Sequence, residues 1–207
     1  EVIKSKMVFK SPLTCFLLLL LHASWASGDS MVPEAKLLSS CMNKKSDSES
    51  LQGVMDALQQ GADIDIVDTK SGQTPLMAAI LRGKFQVVKY LLEHDADVTV
   101  AEKDGFNPAH GAAHAGNLEI MQLLHDRGLD VISDEHVDGS LPFHHACRGK
   151  TSGHTRVVEY LLKVGVDPDL EDSDGNRCIE LTRSVRTKQV LVSYGASASR
   201  LDENGEL

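Results

Sequence analysis

Nine histidines stand in the 207-residue chain, and imidazole is both the commonest metal ligand and the side chain that titrates near neutral pH. His110 and His114 are four residues apart, the spacing that puts two imidazoles on one helix face in H-E-x-x-H zinc sites. Gly111-Ala112-Ala113 separates them, so the Glu that acts as general base in such sites is absent. A metal-dependent or hydrolytic centre on His110, His114 and His145 is thus an alternative reading without its base. Gly-x-Ser-x-Gly and P-loop spacings do not occur. Asp63-Ile64-Asp65 and Asp167-Pro168-Asp169-Leu170-Glu171-Asp172 lack the twelve-residue calcium pattern and its terminal Glu. They read as solvated loop acids. Cys147 follows Ala146 on an apolar helix face and reads as a small buried side chain rather than a nucleophile. No catalytic residue, metal or cofactor is expected.

The elements that carry these residues recur. Gly72-Gln73-Thr74-Pro75-Leu76, Gly105-Phe106-Asn107-Pro108-Ala109 and Gly139-Ser140-Leu141-Pro142-Phe143 stand at steps of 33 and 34, and a degraded copy starts at Gly175. A second block follows in each unit: Val87 to Leu92, Ile120 to Leu124, and Val157 to Leu162. A third closes it, as in Gly61-Ala62-Asp63, Asp95-Ala96-Asp97, Gly128-Leu129-Asp130, Gly165-Val166-Asp167 and Gly195-Ala196. Thr74 and Asn107 can cap helices, and the Pro after each suits a first helical turn. The Val and Leu pairs give the second helix an apolar stripe. Gly61, Gly128, Gly165 and Gly195 suit helix ends that need positive φ. One such helix pair cannot bury its own apolar face, so neighbours must stack.

These blocks and their period resemble the ankyrin repeat. The resemblance implies an all-α solenoid of about five stacked helix pairs with short β-turn connections, over residues 35–200. The units are expected at about 35–67, 68–101, 102–134, 135–171 and 172–200. In the family, the histidine slot after Pro, here His110 and His144, is structural and bridges neighbouring turns. Met77 fills that slot in the second unit, so the bridge should be missing there. Leu141 replaces the capping residue of the fourth unit, which also carries about three extra residues at Gly149-Lys150-Thr151-Ser152. That unit is expected to be the loosest internal one, and the last unit a polar cap.

The resemblance further implies a non-catalytic protein-binding module whose partner lies along the turn tips and first helices. The corresponding positions are Lys70, Ser71, Gln73, Leu81 and Arg82, then Lys103, Asp104, Phe106, His114 and Ala115. Val137, Asp138, Ser140, Arg148 and Lys150 follow, with Asp174 and Asn176 last. Phe106 is the expected anchor, an aromatic at a turn tip with no core to fill. Lys70, Arg82, Lys103, Arg148 and Lys150 outnumber Asp104, Asp138 and Asp174, which favours an acidic or mixed-charge partner. The acids are expected elsewhere, on second helices and long loops, as at Glu93, Asp97, Glu119 and Asp126.

The formal net charge of −9 argues against non-specific nucleic-acid binding. From Met7, one cation (Lys10), the apolar run Leu13–Leu21 and Ala23-Ser24-Trp25-Ala26 follow the order of a secretory signal peptide cleaved near Ala26. Residues 1–26 are read as this leader, 27–34 as a linker and 201–207 as a polar tail. From −9, loss of a leader carrying a net +2 leaves −11. The run is about half of a membrane span, so no stable span is expected. The secretory pathway is the expected location, with a complex-plastid lumen or the cytoplasm as alternatives. Cys41, Cys147 and Cys178 are too few for a disulfide framework, and no Asn-x-Ser/Thr acceptor exists. Leader and body therefore point to different compartments.

Overall fold

The computed structural model describes residues 32–102, 105–133, 136 and 138–197. The leader, the tail, Lys103, Asp104 and Val137 lie outside the described residues. From Pro33 onward the chain forms one unit. Its described residues hold ten helices: α1 (Pro33–Met42), α2 (Asp47–Gln59), α3 (Pro75–Leu81), α4 (Phe85–Glu93), α5 (Pro108–Ala115), α6 (Leu118–Asp126), α7 (Pro142–Cys147), α8 (Ser152–Lys163), α9 (Cys178–Leu181) and α10 (Val185–Ser193). They pair in order into five antiparallel units. The first helices α1, α3, α5, α7 and α9 pack on one another as one layer, and the second helices form the other. This is the expected all-α solenoid.

Local chemistry sets the helix starts. Thr74 Oγ1 accepts the Met77 N–H at 3.2 Å, and Asn107 Oδ1 accepts the His110 N–H at 3.0 Å. Each leaves the following Pro in the first turn, where a missing N–H costs nothing. Small residues let the first helices approach closely. Gly111 is buried between α3 and α5, and a Cβ there would stand 3.0 Å from Met77 Sδ. The apolar pairs Val87/Val88, Leu91/Leu92, Ile120/Met121, Val157/Val158 and Leu161/Leu162 fill the space between the layers.

Between units the chain forms a tight β-turn hairpin. Glu102 N–H donates to Phe106 O at 3.0 Å, His136 N–H to Ser140 O at 3.0 Å, and Asp172 N–H to Asn176 O at 3.0 Å. Gly139 sits in the left-handed region (φ 67°) and packs so closely on Ser173 that a Cβ would collide with it. Two of the loop acids also hold backbone: Asp65 Oδ1 accepts the Asp97 N–H at 3.0 Å, and Asp169 accepts the Ser197 N–H at 2.9 Å. Asp47 reaches 39 residues forward to accept the Gln86 N–H at 2.8 Å, at the start of α4.

The insertion of the fourth unit takes a defined place in the stack. Its extra residues lengthen α8 to 12 residues, against nine for α4 and α6. His154 in that added turn lies 2.9 Å from the His114 carbonyl, at the end of α5, and 2.7 Å from Thr151 Oγ1. Leu141 makes no side-chain cap, but it is buried and its N–H donates to His144 Nδ1 at 3.1 Å. The insertion is therefore built into the stack by specific hydrogen bonds.

Candidate functional site

A groove of about 520 Å³ runs over the hairpin tips and first helices of the second to fourth units. Gln73, Leu81, Phe106, His114 and Arg148, five of the seventeen expected positions, line it together with Glu102, His136 and His145. Lys70, Arg82 and Lys150 are exposed and lie outside its lining. Lys103 lies outside the described residues.

Ser140 does not stand on the surface as expected. It is 1% exposed, its hydroxyl accepts from Arg148 Nη1 at 3.0 Å, and its N–H donates to Asp138 at 2.8 Å. Phe106 is also not a free turn-tip aromatic. It is half-buried, with its ring centroid 5.6 Å from that of His110, 6.4 Å from His114, 6.0 Å from His136 and 5.3 Å from His145. Four imidazoles thus supply the packing that the apolar core does not. Arg148 is tied to Asp172, 3.0 Å away, whose side chain is 1% exposed. One of the five expected cations is therefore already neutralised within the fold.

The histidines divide into structural and available groups. His110 is fully buried, with Nε2 3.2 Å from the Ser140 carbonyl and Nδ1 against Asn107. His144 repeats the arrangement one unit later, 3.2 Å from the Leu170 carbonyl. Leu141 donates to its Nδ1, so Nε2 carries the proton and donates. Burial holds His144 below the usual histidine range, against the hydrogen bond to Leu170 and the attraction of Asp172. Met77 leaves the second unit without this bridge, as expected.

His145 faces the groove, and burial lowers its pKa to about 4, with repulsion from His110 and Arg148 adding to the effect. Among the described residues its buried Nε2 has no hydrogen-bond partner. Among the described residues His110, His114 and His145 do not come together as a ligand group, and His110 is engaged in the bridge. The structure instead brings His145 beside His136 and Asp138. Sequence reasoning passed over His136. The available clue was its place four residues before Ser140, equivalent to Glu102 before Phe106, which puts its side chain at a hairpin tip.

Burial raises the Asp138 pKa, but hydrogen bonds from His136 and Ser140 outweigh it and hold the carboxyl far below the usual range. Sequence reasoning also missed a cross-link. Cys147 at the end of α7 is joined to Cys178 at the start of α9, with Cα atoms 5.4 Å apart. The repeat register gave no signal for it, because Cys147 ends one first helix and Cys178 begins the next, so the two do not occupy equivalent positions. Cys41 is a free, buried thiol, pushed up to about 12 by burial. Among the described residues no helix is long and apolar enough to cross a membrane.

Comparison with known proteins agrees with the repeat geometry. The ankyrin repeats family, in a form of three copies, matches residues 38–135 and 98–172. The probable 26S proteasome regulatory subunit p28 of Saccharomyces cerevisiae is 28% identical over 126 residues, 60% of this chain and 54% of its own length. The potassium channel AKT2/3 of Arabidopsis thaliana is 31% identical over 117 residues, 56% of this chain and 14% of its own. The phosphocholine transferase AnkX of Legionella pneumophila is 29% identical over 125 residues, 59% of this chain and 13% of its own. The chain thus spans between about an eighth and about half of these relatives.

Proposed function

The chain belongs to the ankyrin repeat family, and from that premise we propose that it is a non-catalytic protein-binding scaffold. The observation that carries this reading is the groove over α3, α5 and α7, where Gln73, Leu81, Phe106, His114 and Arg148 converge. His110 and His144, the residues that most resemble catalytic side chains, are engaged in joining units. The proposed partner is a protein segment, acidic or mixed in charge, that lays an apolar side chain against Phe106. Lys70, Arg82 and Lys150 are exposed cations on the same repeat units as the groove, while Glu93, Asp97, Glu119 and Asp126 stand exposed on the second helices and long loops. Such polarity raises association rates at low salt.

Capture of partners by affinity purification and mass spectrometry, followed by binding isotherms, tests this reading. Phe106→Ala should cost about 2 kcal/mol of binding. Arg82→Glu should slow association and flatten its salt dependence. A partner whose affinity ignores both substitutions would place the binding surface elsewhere.

We further propose entry into the secretory pathway. The leader order around Leu13–Leu21 supports it, and the Cys147–Cys178 cross-link suits an oxidising compartment. N-terminal sequencing of the mature protein should find a start near residue 27. An intact leader, with a carboxy-terminal fluorescent fusion in the cytosol, would contradict it.

A further inference from the structure

We propose that His136, Asp138 and His145 form a binding site for a divalent transition-metal ion of the zinc type. The ligand atoms of the three residues lie within 4.8 Å of one another. Three donors held about 2 Å from a tetrahedral ion stand roughly 3.3 Å apart. The fold holds the group together from two directions. The hairpin bonds from His136 N–H to Ser140 O and from Gly139 N–H to His136 O, at 3.0 and 2.8 Å, bend the chain so that His136 and Asp138 share one tip. Helix α7 then brings His145 to the same point from the other side.

The surroundings are those that ligands need. Asp138 Oδ1 accepts the Ser140 N–H at 2.8 Å and lies 2.8 Å from His136 Nδ1. The Ser140 bond is of the outer kind that fixes a ligand's orientation, whereas the His136–Asp138 contact joins two of the proposed ligands. Phe106 stands behind the two imidazoles, 6.0 Å from His136 and 5.3 Å from His145 between ring centroids, and shields that side from water. Asp138 is 48% exposed at its side chain, which leaves a path for an ion to enter. The buried Nε2 of His145 has no hydrogen-bond partner among the described residues, so its lone pair is not committed within the fold. Two imidazoles and one carboxylate suit zinc and its neighbours, whereas calcium and magnesium take oxygen donors. Bound there, the ion would pin the hairpin tip of the fourth unit to α7 at the groove wall.

The test titrates Zn²⁺ into the full chain, without a histidine tag and stripped of metal by chelation, using calorimetry. Co²⁺ in a parallel titration reports coordination through its visible d–d bands. One Zn²⁺ should bind per chain, and Mg²⁺ should give no heat. His136→Gln and His145→Gln should each weaken Zn²⁺ binding by at least about tenfold, and His114→Gln, on the same groove but outside the cluster, should not. His136→Gln changes a turn residue and keeps the test valid if the α7 variant misfolds; circular dichroism checks both. Absence of stoichiometric Zn²⁺ binding, or binding that both variants retain, would overturn the site.

Discussion

The seam between the first two units and the seam between the last two use the same apolar layers but different locks. At the amino-terminal seam Lys84 is 4% exposed, and its ammonium donates to the Ser40 carbonyl at 2.8 Å, Asn43 Oδ1 at 2.9 Å and Ser50 Oγ at 2.7 Å. Burial lowers its pKa, against the attraction of Cys41 and Asp47. At the carboxy-terminal seam the Cys147–Cys178 bond and the His144 bridge to Leu170 do the joining. The first lock depends on full compensation of a buried charge, and the second on an oxidising environment and a neutral imidazole. One repeat architecture thus leaves its two ends sensitive to different insults.

Breaking the covalent lock should have the largest effect. The bond closes a segment of 31 residues, for which chain entropy gives about 3–4 kcal/mol. Cys147→Ala with Cys178→Ala, or reduction of the native chain, should therefore unfold the last unit at lower urea while the first two units hold. Coincident loss of all units in tryptic mapping along the urea series would show that the ends are not separate. Lys84→Met comes next. It strands the Ser40 carbonyl in an apolar seam, while the Ser50 hydroxyl keeps Asn43 Oδ1 at 3.2 Å, and should cost about 2 kcal/mol, with α1 and α2 the first to lose exchange protection.

How far the sequence carried the account follows from these residues. Thr74, Asn107, the paired Val and Leu residues and the glycines after second helices act within a few positions of themselves, and the sequence reading placed them correctly. Lys84, Cys147, Cys178 and His136 act through partners that register brings together. Lys84 finds Ser40 44 residues back, and Cys178 finds Cys147 31 residues back. Phe106 was foreseen as a groove residue, yet its half-burial depends on imidazoles from two units. Ser140 was misplaced for the same reason, because the Arg148 side chain that covers it comes from the helix that follows.

Acid should sharpen the contrast further. His144 has a folded pKa lowered by burial, with Asp172, Arg148 and Asp138 around it. The unfolded chain therefore binds a proton first. The stability this group contributes is present above the unfolded value of about 6.5 and is lost as pH falls below it. In buffer with a chelator, unfolding midpoints of the last two units should drop below pH 6.5, and His144→Gln should remove part of that drop, with His145, lowered to about 4, carrying the rest. An equal acid response in the variant would remove His144 as its source. The smallest effect concerns Asp95, which takes the left-handed conformation (φ 63°) that Gly61, Gly128, Gly165 and Gly195 take at equivalent positions. Asp95→Gly should stabilise the second unit by about 0.5 kcal/mol, read from its urea midpoint. Destabilisation there would mean the carboxylate contributes more than its strain costs.

Hydrogen exchange of the chain with and without its captured partner tests the binding surface most directly. The account predicts added protection in residues 70–82, 105–115 and 138–150, which hold the hairpin tips and first helices of the second to fourth units. Protection confined to the second helices α4, α6 and α8, with those three segments unchanged, would contradict it.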